Sequence, residues 1–240
     1  MRFLIVNDDG IQADGIRRLA MTAAKLGEVW VIAPSSQRSA ASQSITLSKP
    51  FLVSEYDFGG PIKKAYSVDG TPADCVRMGL DILMDERPDF ILSGVNNGLN
   101  TGYDCGYSGT DGAAMEGLFS GVQAMAFSTQ SDMPHEAEDK YMLQILKELV
   151  DNPAPKGAIW NVNFPGGLIG DCKGVKYDRK VGDTHIFIDH YRKLDDLPGG
   201  FMVEAYGTPV AKEELPEDSD IYAVRNGYVS VGPLYAVSAR

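Results

Sequence analysis

The chain has 240 residues, 44% hydrophobic and 23% charged, a globular balance that excludes disorder and fibrous repeats and suffices for a buried core without disulfide or metal staples. Lys and Arg number 22 against 33 Asp and Glu, a formal net charge of −11, which argues against a nucleic-acid polymer as partner. An anionic substrate would therefore need a local device: a metal, a helix N-terminus or a few placed cations.

Phe3–Val6 is a short continuous apolar run, the pattern of a strand buried on both faces. From Gly15 to Leu26 the apolar residues Ile16, Leu19, Ala20, Ala23 and Leu26 keep helical spacing, and Gly27 is a natural stop. Val29–Ala33 is the next strand, ended by Pro34 and followed by a serine-rich loop over 35–44. Thr71-Pro72-Ala73-Asp74 is a helix start, with a capping hydroxyl, proline at the first helical position and an early acid. That helix would carry Val76, Leu80 and Leu83 inward. Phe90–Val95 is a third buried strand. A glycine-rich loop leads to a helix expected from about Gly112 to Gly121, then a strand over Ala124–Ser128. Residues 136–150 form an amphipathic helix, and Ile159–Asn163 closes the series as a strand. Strands separated by crossover helices predict an α/β fold with a doubly wound, mostly parallel sheet. After Pro165 glycines and short alternating segments predominate (Val175–Val181, His185–Asp189, Phe201–Tyr206), so the expected division is a catalytic core over 1–165 and a β-rich C-terminal appendage over 166–240.

The three cysteines, Cys75, Cys105 and Cys172, include no CxxC pair, which points to free thiols and a cytoplasmic location. No apolar run nears the ~20 residues of a membrane span, and the apolar start is too short for a signal-peptide core, so no membrane partner is expected.

In an open parallel sheet, ligands bind beyond the carboxyl ends of the strands. Asn7, Asp8, Asp9 and Gly10 follow the first strand, Arg38 and Ser39 the second, and Asn96, Asn97 and Asn100 the third. A single strand-end Asp is as readily a helix cap as a ligand. Two in a row raise each other's pKa unless a cation compensates them, which favours a metal site, and hard oxygen donors suit Mg²⁺ or Mn²⁺. The loop around Ser108, Gly109 and Thr110 precedes a helix, so its backbone N–H groups and hydroxyls suit a phosphate cradle; the plainer alternative is that Thr110 merely caps the helix. His185 and His190 lack metal-pair spacing and are expected on the surface or in the core, and the acid run from Glu213 to Asp220 is expected to be a solvated loop. GxSxG, GxGxxG and P-loop patterns are absent.

Asn7-Asp8-Asp9-Gly10, Ala33-Pro34, Arg38-Ser39, Gly70-Thr71-Pro72-Ala73-Asp74, Ser93-Gly94-Val95-Asn96, Tyr107-Ser108-Gly109-Thr110, Asn161-Val162-Asn163-Phe164-Pro165 and Gly227-Tyr228-Val229-Ser230 occur in this order across nearly the whole chain. In this, the sequence resembles the SurE family of survival-protein nucleotidases. The resemblance implies a Rossmann-like core and a phosphatase, dependent on one divalent metal ion, that hydrolyses nucleoside 5′- and 3′-monophosphates. It implies a homodimer or homotetramer assembled through the C-terminal part. The family's metal ligands fall on Asp8, Asp9, Ser39 and Asn96. Asp8 and Asp9 would also be catalytic, and Asn7, Asn96, Ser108, Gly109 and Thr110 would bind substrate. Asn97, Ala40, Asp111 and Asn226 depart from the family pattern, Asp111 standing where Val is frequent. Two other readings remain open: an aspartyl-phosphate mechanism, and a noncatalytic nucleotide-binding regulator.

Overall fold

The computed structural model describes residues 1–210 and 215–236. In chain order its elements are β1 (Arg2–Val6), α1 (Asp14–Ala23), β2 (Glu28–Pro34), β3 (Val53–Glu55), β4 (Lys64–Val68), α2 (Pro72–Met78), β5 (Phe90–Asn97), α3 (Gly109–Phe119), β6 (Gln123–Thr129), α4 (Glu136–Asp151), β7 (Ala158–Phe164), β8 (Val175–Lys176), β9 (Phe187–Leu197), β10 (Gly200–Pro209), α5 (Asp220–Arg225) and β11 (Val229–Tyr235). Nine strands form one sheet in the order β3-β4-β2-β1-β5-β6-β7-β11-β8. The six from β4 to β7 are parallel, and β3 and β11 each pair antiparallel with their inner neighbours. Counted among the parallel strands alone, the order is 3-2-1-4-5-6, the doubly wound Rossmann arrangement.

The continuous apolar runs make sense on this sheet, because alternate residues enter different cores. Phe3 and Ile5 of β1 join Val29 and Val31 of β2 in a core with Ile16 and Leu19 of α1 and Ile145 and Leu146 of α4. Leu4, Val6, Trp30 and Ile32 face the opposite core, with Val76 of α2 and Ala113 and Ala114 of α3. The α2 start is as expected: Thr71 accepts from the Asp74 N–H while Asp74 accepts from the Thr71 N–H, a capping box. The helix then widens into a π-helical turn over Gly79–Leu83, which leaves Leu80 and Leu83 only partly buried.

The chain beyond residue 165 behaves differently from a separate appendage in part of its length. β8 and β11 extend the main sheet and α5 packs on β11 and β7, whereas β9 and β10 form their own two-stranded antiparallel ribbon. The strand expected over Val175–Val181 is reduced to Val175–Lys176. The ribbon exposes Ile188, Leu194, Leu197, Phe201 and Val203. Of the acid run, Glu213 and Glu214 lie outside the described residues, and Asp220 is buried rather than solvated. Its carboxylate accepts the backbone N–H groups of Gly102, Gly182 and Ile221. Among the described residues no helix is long and apolar enough to cross a membrane.

Candidate active site

β1 and β5 are neighbours, and the chain turns away from them in opposite directions, to β2 on one side and β6 on the other. This switch point opens a crevice at the strands' carboxyl ends, and Asp8, Asp9, Ser39, Asn96, Tyr107 and Ser108 line a cleft of about 510 Å³ there.

The Asp8-Asp9 turn is built from below. Asn7 is fully buried and uses both ends of its amide on one residue, donating to the Gly10 carbonyl (2.9 Å) and accepting the Gly10 N–H (3.2 Å). Gly10 has φ +100°, a conformation that costs other residues. Asn7 thus shapes the turn on which both acids ride and is not among the residues lining the cleft.

Asp8 is 4% exposed and rests on the N-terminus of α3. Thr110 donates to it from its hydroxyl, at 2.5 Å to Oδ1, and from its backbone N–H. A Cβ on Gly109 would lie 2.9 Å from both the Cβ and Oδ2 of Asp8, so only glycine lets the helix approach this closely. Burial pushes the Asp8 carboxyl up to about 6; the Thr110 hydroxyl opposes this and the charge of Asp9 adds to it. Asp9 is half-buried, and its Oδ2 accepts the Asn97 N–H at 2.9 Å. Among the described residues neither acid has an ion-pair partner, and Arg38, whose N–H reaches the Asp8 carbonyl, sends its guanidinium to Asp69.

Asn96 enters the cleft at an irregularity in the β5–β6 register between Ser93 and Asn96, a device that re-aims side chains beside functional sites. Its Nδ2 donates to the Gly98 carbonyl (2.8 Å), which orders the amide. Ser39 is held by Gln37 Nε2 at 2.9 Å. No three His, Cys, Asp or Glu side chains gather into a metal cluster among the described residues, so a cation here would be held by two carboxylates and neutral oxygens. That donor set fits a hard ion such as Mg²⁺, which keeps several of its waters.

The helix expected from Gly112 begins at Gly109. Ser108, not Thr110, is its cap, accepting the Asp111 N–H at 2.9 Å. Thr110 is already helical, and its donors serve Asp8, so of the expected phosphate loop only Ser108 lines the cleft. Ser108→Ala should therefore lower kcat/KM roughly 10- to 150-fold, the usual loss of one hydrogen bond to a charged group, and cost about 1 kcal/mol of stability through the lost cap. Thr110→Val should act through Asp8 instead. It removes a donor that favours the charged form, so the acid limb of the pH–rate profile should move to higher pH, with little loss at pH 9.

Asp111 is 2% exposed, and among the described residues its carboxyl meets no better hydrogen-bond partner than the weak thiol of Cys105. Burial drives its carboxyl well above the usual range. A buried carboxyl so poorly satisfied costs ~1–3 kcal/mol, so Asp111→Val should raise the melting temperature by several degrees, read by thermal melts at pH 7.

Four residues escaped the sequence reading. Asn163 clamps the Asn100 backbone, accepting its N–H at 2.8 Å and donating to its carbonyl at 3.0 Å, which explains part of the Asn161-Val162-Asn163 motif. His185, expected at the surface or in the core, stands beside the cleft with its Nδ1 2.6 Å from Asp104. His190 is exposed on the ribbon. The position of Tyr107 directly before Ser108 was a readable signal for a cleft residue. That of Tyr191, which also lines the cleft, was not, because it depends on where the ribbon lies.

Comparison with known proteins agrees with this fold. The family model "Survival protein SurE" matches residues 3–185. The chain is 40% identical over 235 residues to the 5′-nucleotidase SurE of Vibrio parahaemolyticus, covering 98% of this chain and 88% of that protein. It is 38% identical over 239 residues to the 5′-nucleotidase SurE of Pelotomaculum thermopropionicum, covering 98% and 89%. Among solved structures, the SurE protein of Aquifex aeolicus superposes with a TM-score of 0.82 at 35% identity, covering 98% of this chain and 93% of that one. With its paired strand-end acids at the switch point of a doubly wound sheet and a family match over most of its length, this chain belongs to the SurE family.

Proposed function

We propose that this protein is a phosphatase, dependent on one divalent metal ion (Mg²⁺ or Mn²⁺), that hydrolyses nucleoside 5′- and 3′-monophosphates. The observation that carries the reading is the pair Asp8-Asp9, unpaired with any basic residue among the described ones and seated against the N-terminus of α3. Its relatives' names, 5′-nucleotidase SurE, point the same way.

Asp8, Asp9, Ser39 and Asn96 would hold the metal, which when bound supplies Lewis-acid polarisation of the phosphoryl oxygens. The remaining work falls to the chain. Ser108 would donate a hydrogen bond from its hydroxyl to a phosphoryl oxygen, and the α3 N-terminus, with Gly109 first in it, adds a positive local field. Thr110 fixes the Asp8 carboxylate from behind. Asp9, the more open acid, would take the proton of the attacking water and return it to the departing nucleoside oxygen as that P–O bond breaks. Asn7 and Gly10 hold the turn on which both acids ride.

Phosphate release from a panel of nucleoside 5′- and 3′-monophosphates, with Mg²⁺ or Mn²⁺ and with EDTA, tests this. Metal-dependent release is the expected result. Metal-dependent nucleotide binding without release would instead favour a noncatalytic regulator, and a phosphoenzyme trapped by rapid quench would favour attack by an Asp.

The region over 166–240 is the proposed assembly element, its β9–β10 ribbon offering an exposed apolar surface. Light scattering at micromolar concentration should give a homodimer or homotetramer; a monomer would refute it. Free Cys75, Cys105 and Cys172 support a cytoplasmic location.

A further inference from the structure

The polar cleft carries an exposed aromatic wall that phosphoryl chemistry does not use. Tyr107 lines the cleft directly before Ser108 and is 60% exposed. Its backbone is pinned on both sides, the N–H donating to the Asp104 carbonyl (3.1 Å) and the carbonyl accepting the Ser42 N–H (3.0 Å). His185 lies behind its ring, nearly parallel at 24° with centroids 6.3 Å apart, and Tyr103 meets His185 edge-on at 5.3 Å. One carboxylate fixes the backing: Asp104 binds His185 Nδ1 through Oδ1 (2.6 Å) and accepts the Ile186 N–H through Oδ2 (3.1 Å).

An aromatic side chain left this open to water, yet held this firmly, is preorganised to cover a flat apolar surface brought to it. A planar heterocycle attached to a phosphate seated at Ser108 has that shape. Stacking uses the π-face that every nucleobase has, so it discriminates weakly between bases. We propose that Tyr107, backed by His185 and Asp104, is the stacking platform for the base of the nucleoside monophosphate. The proposal rests on the nucleotidase reading of the same cleft.

The test compares kcat and KM for AMP, CMP and ribose 5-phosphate, which carries the phosphate and sugar without a base, in wild type, Tyr107→Ala, Tyr107→Phe and His185→Ala. Tyr107→Ala should lower the ratio of kcat/KM for AMP over that for ribose 5-phosphate by about 5- to 150-fold, mainly through KM for AMP. Tyr107→Phe keeps the ring and should restore the ratio, and His185→Ala should lower it partway. If Tyr107→Ala reduces both substrates equally, the residue only shapes the loop, and the platform is refuted. An unchanged ratio refutes it too. Should wild type release phosphate from none of the three, the nucleotidase reading fails separately. Equilibrium titration of AMP and ribose 5-phosphate with Mg²⁺ then decides the platform, since equal affinities in wild type would overturn it.

Discussion

Asp8→Asn and Asp9→Asn should each remove activity on the order of 10³-fold, the several kcal/mol of charge stabilisation that a metal ion contributes. Mg²⁺ or Mn²⁺ affinity should collapse with it, because each change deletes one of the only two anionic donors proposed for the metal while keeping side-chain size. Stability should move the other way for Asp8. Its carboxyl is raised from 3.8 to about 6 in the fold, so the metal-free protein bears about 3 kcal/mol for holding the anion at neutral pH. The sign follows from the direction of the shift: the penalty is absent below pH 4, grows as pH rises from 4 to 6, and is complete above. The neutral amide of the Asp8→Asn variant can still accept from Thr110 and bears none of it. In EDTA at pH 7.5 Asp8→Asn should therefore melt several degrees above wild type, the gap closing on acidification to pH 4. A variant that melts lower than wild type at pH 7.5 and keeps normal turnover would show that Asp8 is a structural cap and no metal ligand.

Gly109→Ala should be nearly as damaging, although it changes no functional group. Alanine favours helix over glycine by roughly 1 kcal/mol, and Gly109 is not among the residues with positive φ, so the backbone tolerates the change. The new Cβ, however, would stand 2.9 Å from Asp8 Cβ and Oδ2, and Asp8 is boxed in by burial and by Thr110. The carboxylate must move by several tenths of an ångström or more. Misplacement on the scale of 1 Å can cost about 10²-fold in rate. Expected, then, is a folded protein with intact far-UV circular dichroism, kcat/KM lower by about 10²-fold and weakened metal affinity. Turnover at the wild-type rate would mean that Asp8 need not sit against α3.

Local rules in the sequence determined the buried strands, the α2 capping box and the placement of polar groups at the strand ends. Each depends on neighbours a few residues away: a continuous apolar run marks a strand covered on both faces, and Thr71-Pro72-Ala73-Asp74 closes its own hydrogen bonds. The paired acids were legible for the same reason, since whatever follows a buried parallel strand must emerge at its carboxyl edge.

What required the tertiary structure was every feature set by contacts distant along the chain. β3 has three residues, and β4, Lys64–Val68, has a mixed pattern, so neither stood out until it was paired beyond β2. Ser108 and Thr110 are both good caps by type; the choice between them turns on Thr110 reaching Asp8, 102 residues away. The acid at position 220 reads as solvated by composition, yet it is buried because the Gly102 and Gly182 N–H groups converge on it. Periodicity reports the face of an element, and only packing reports what meets that face.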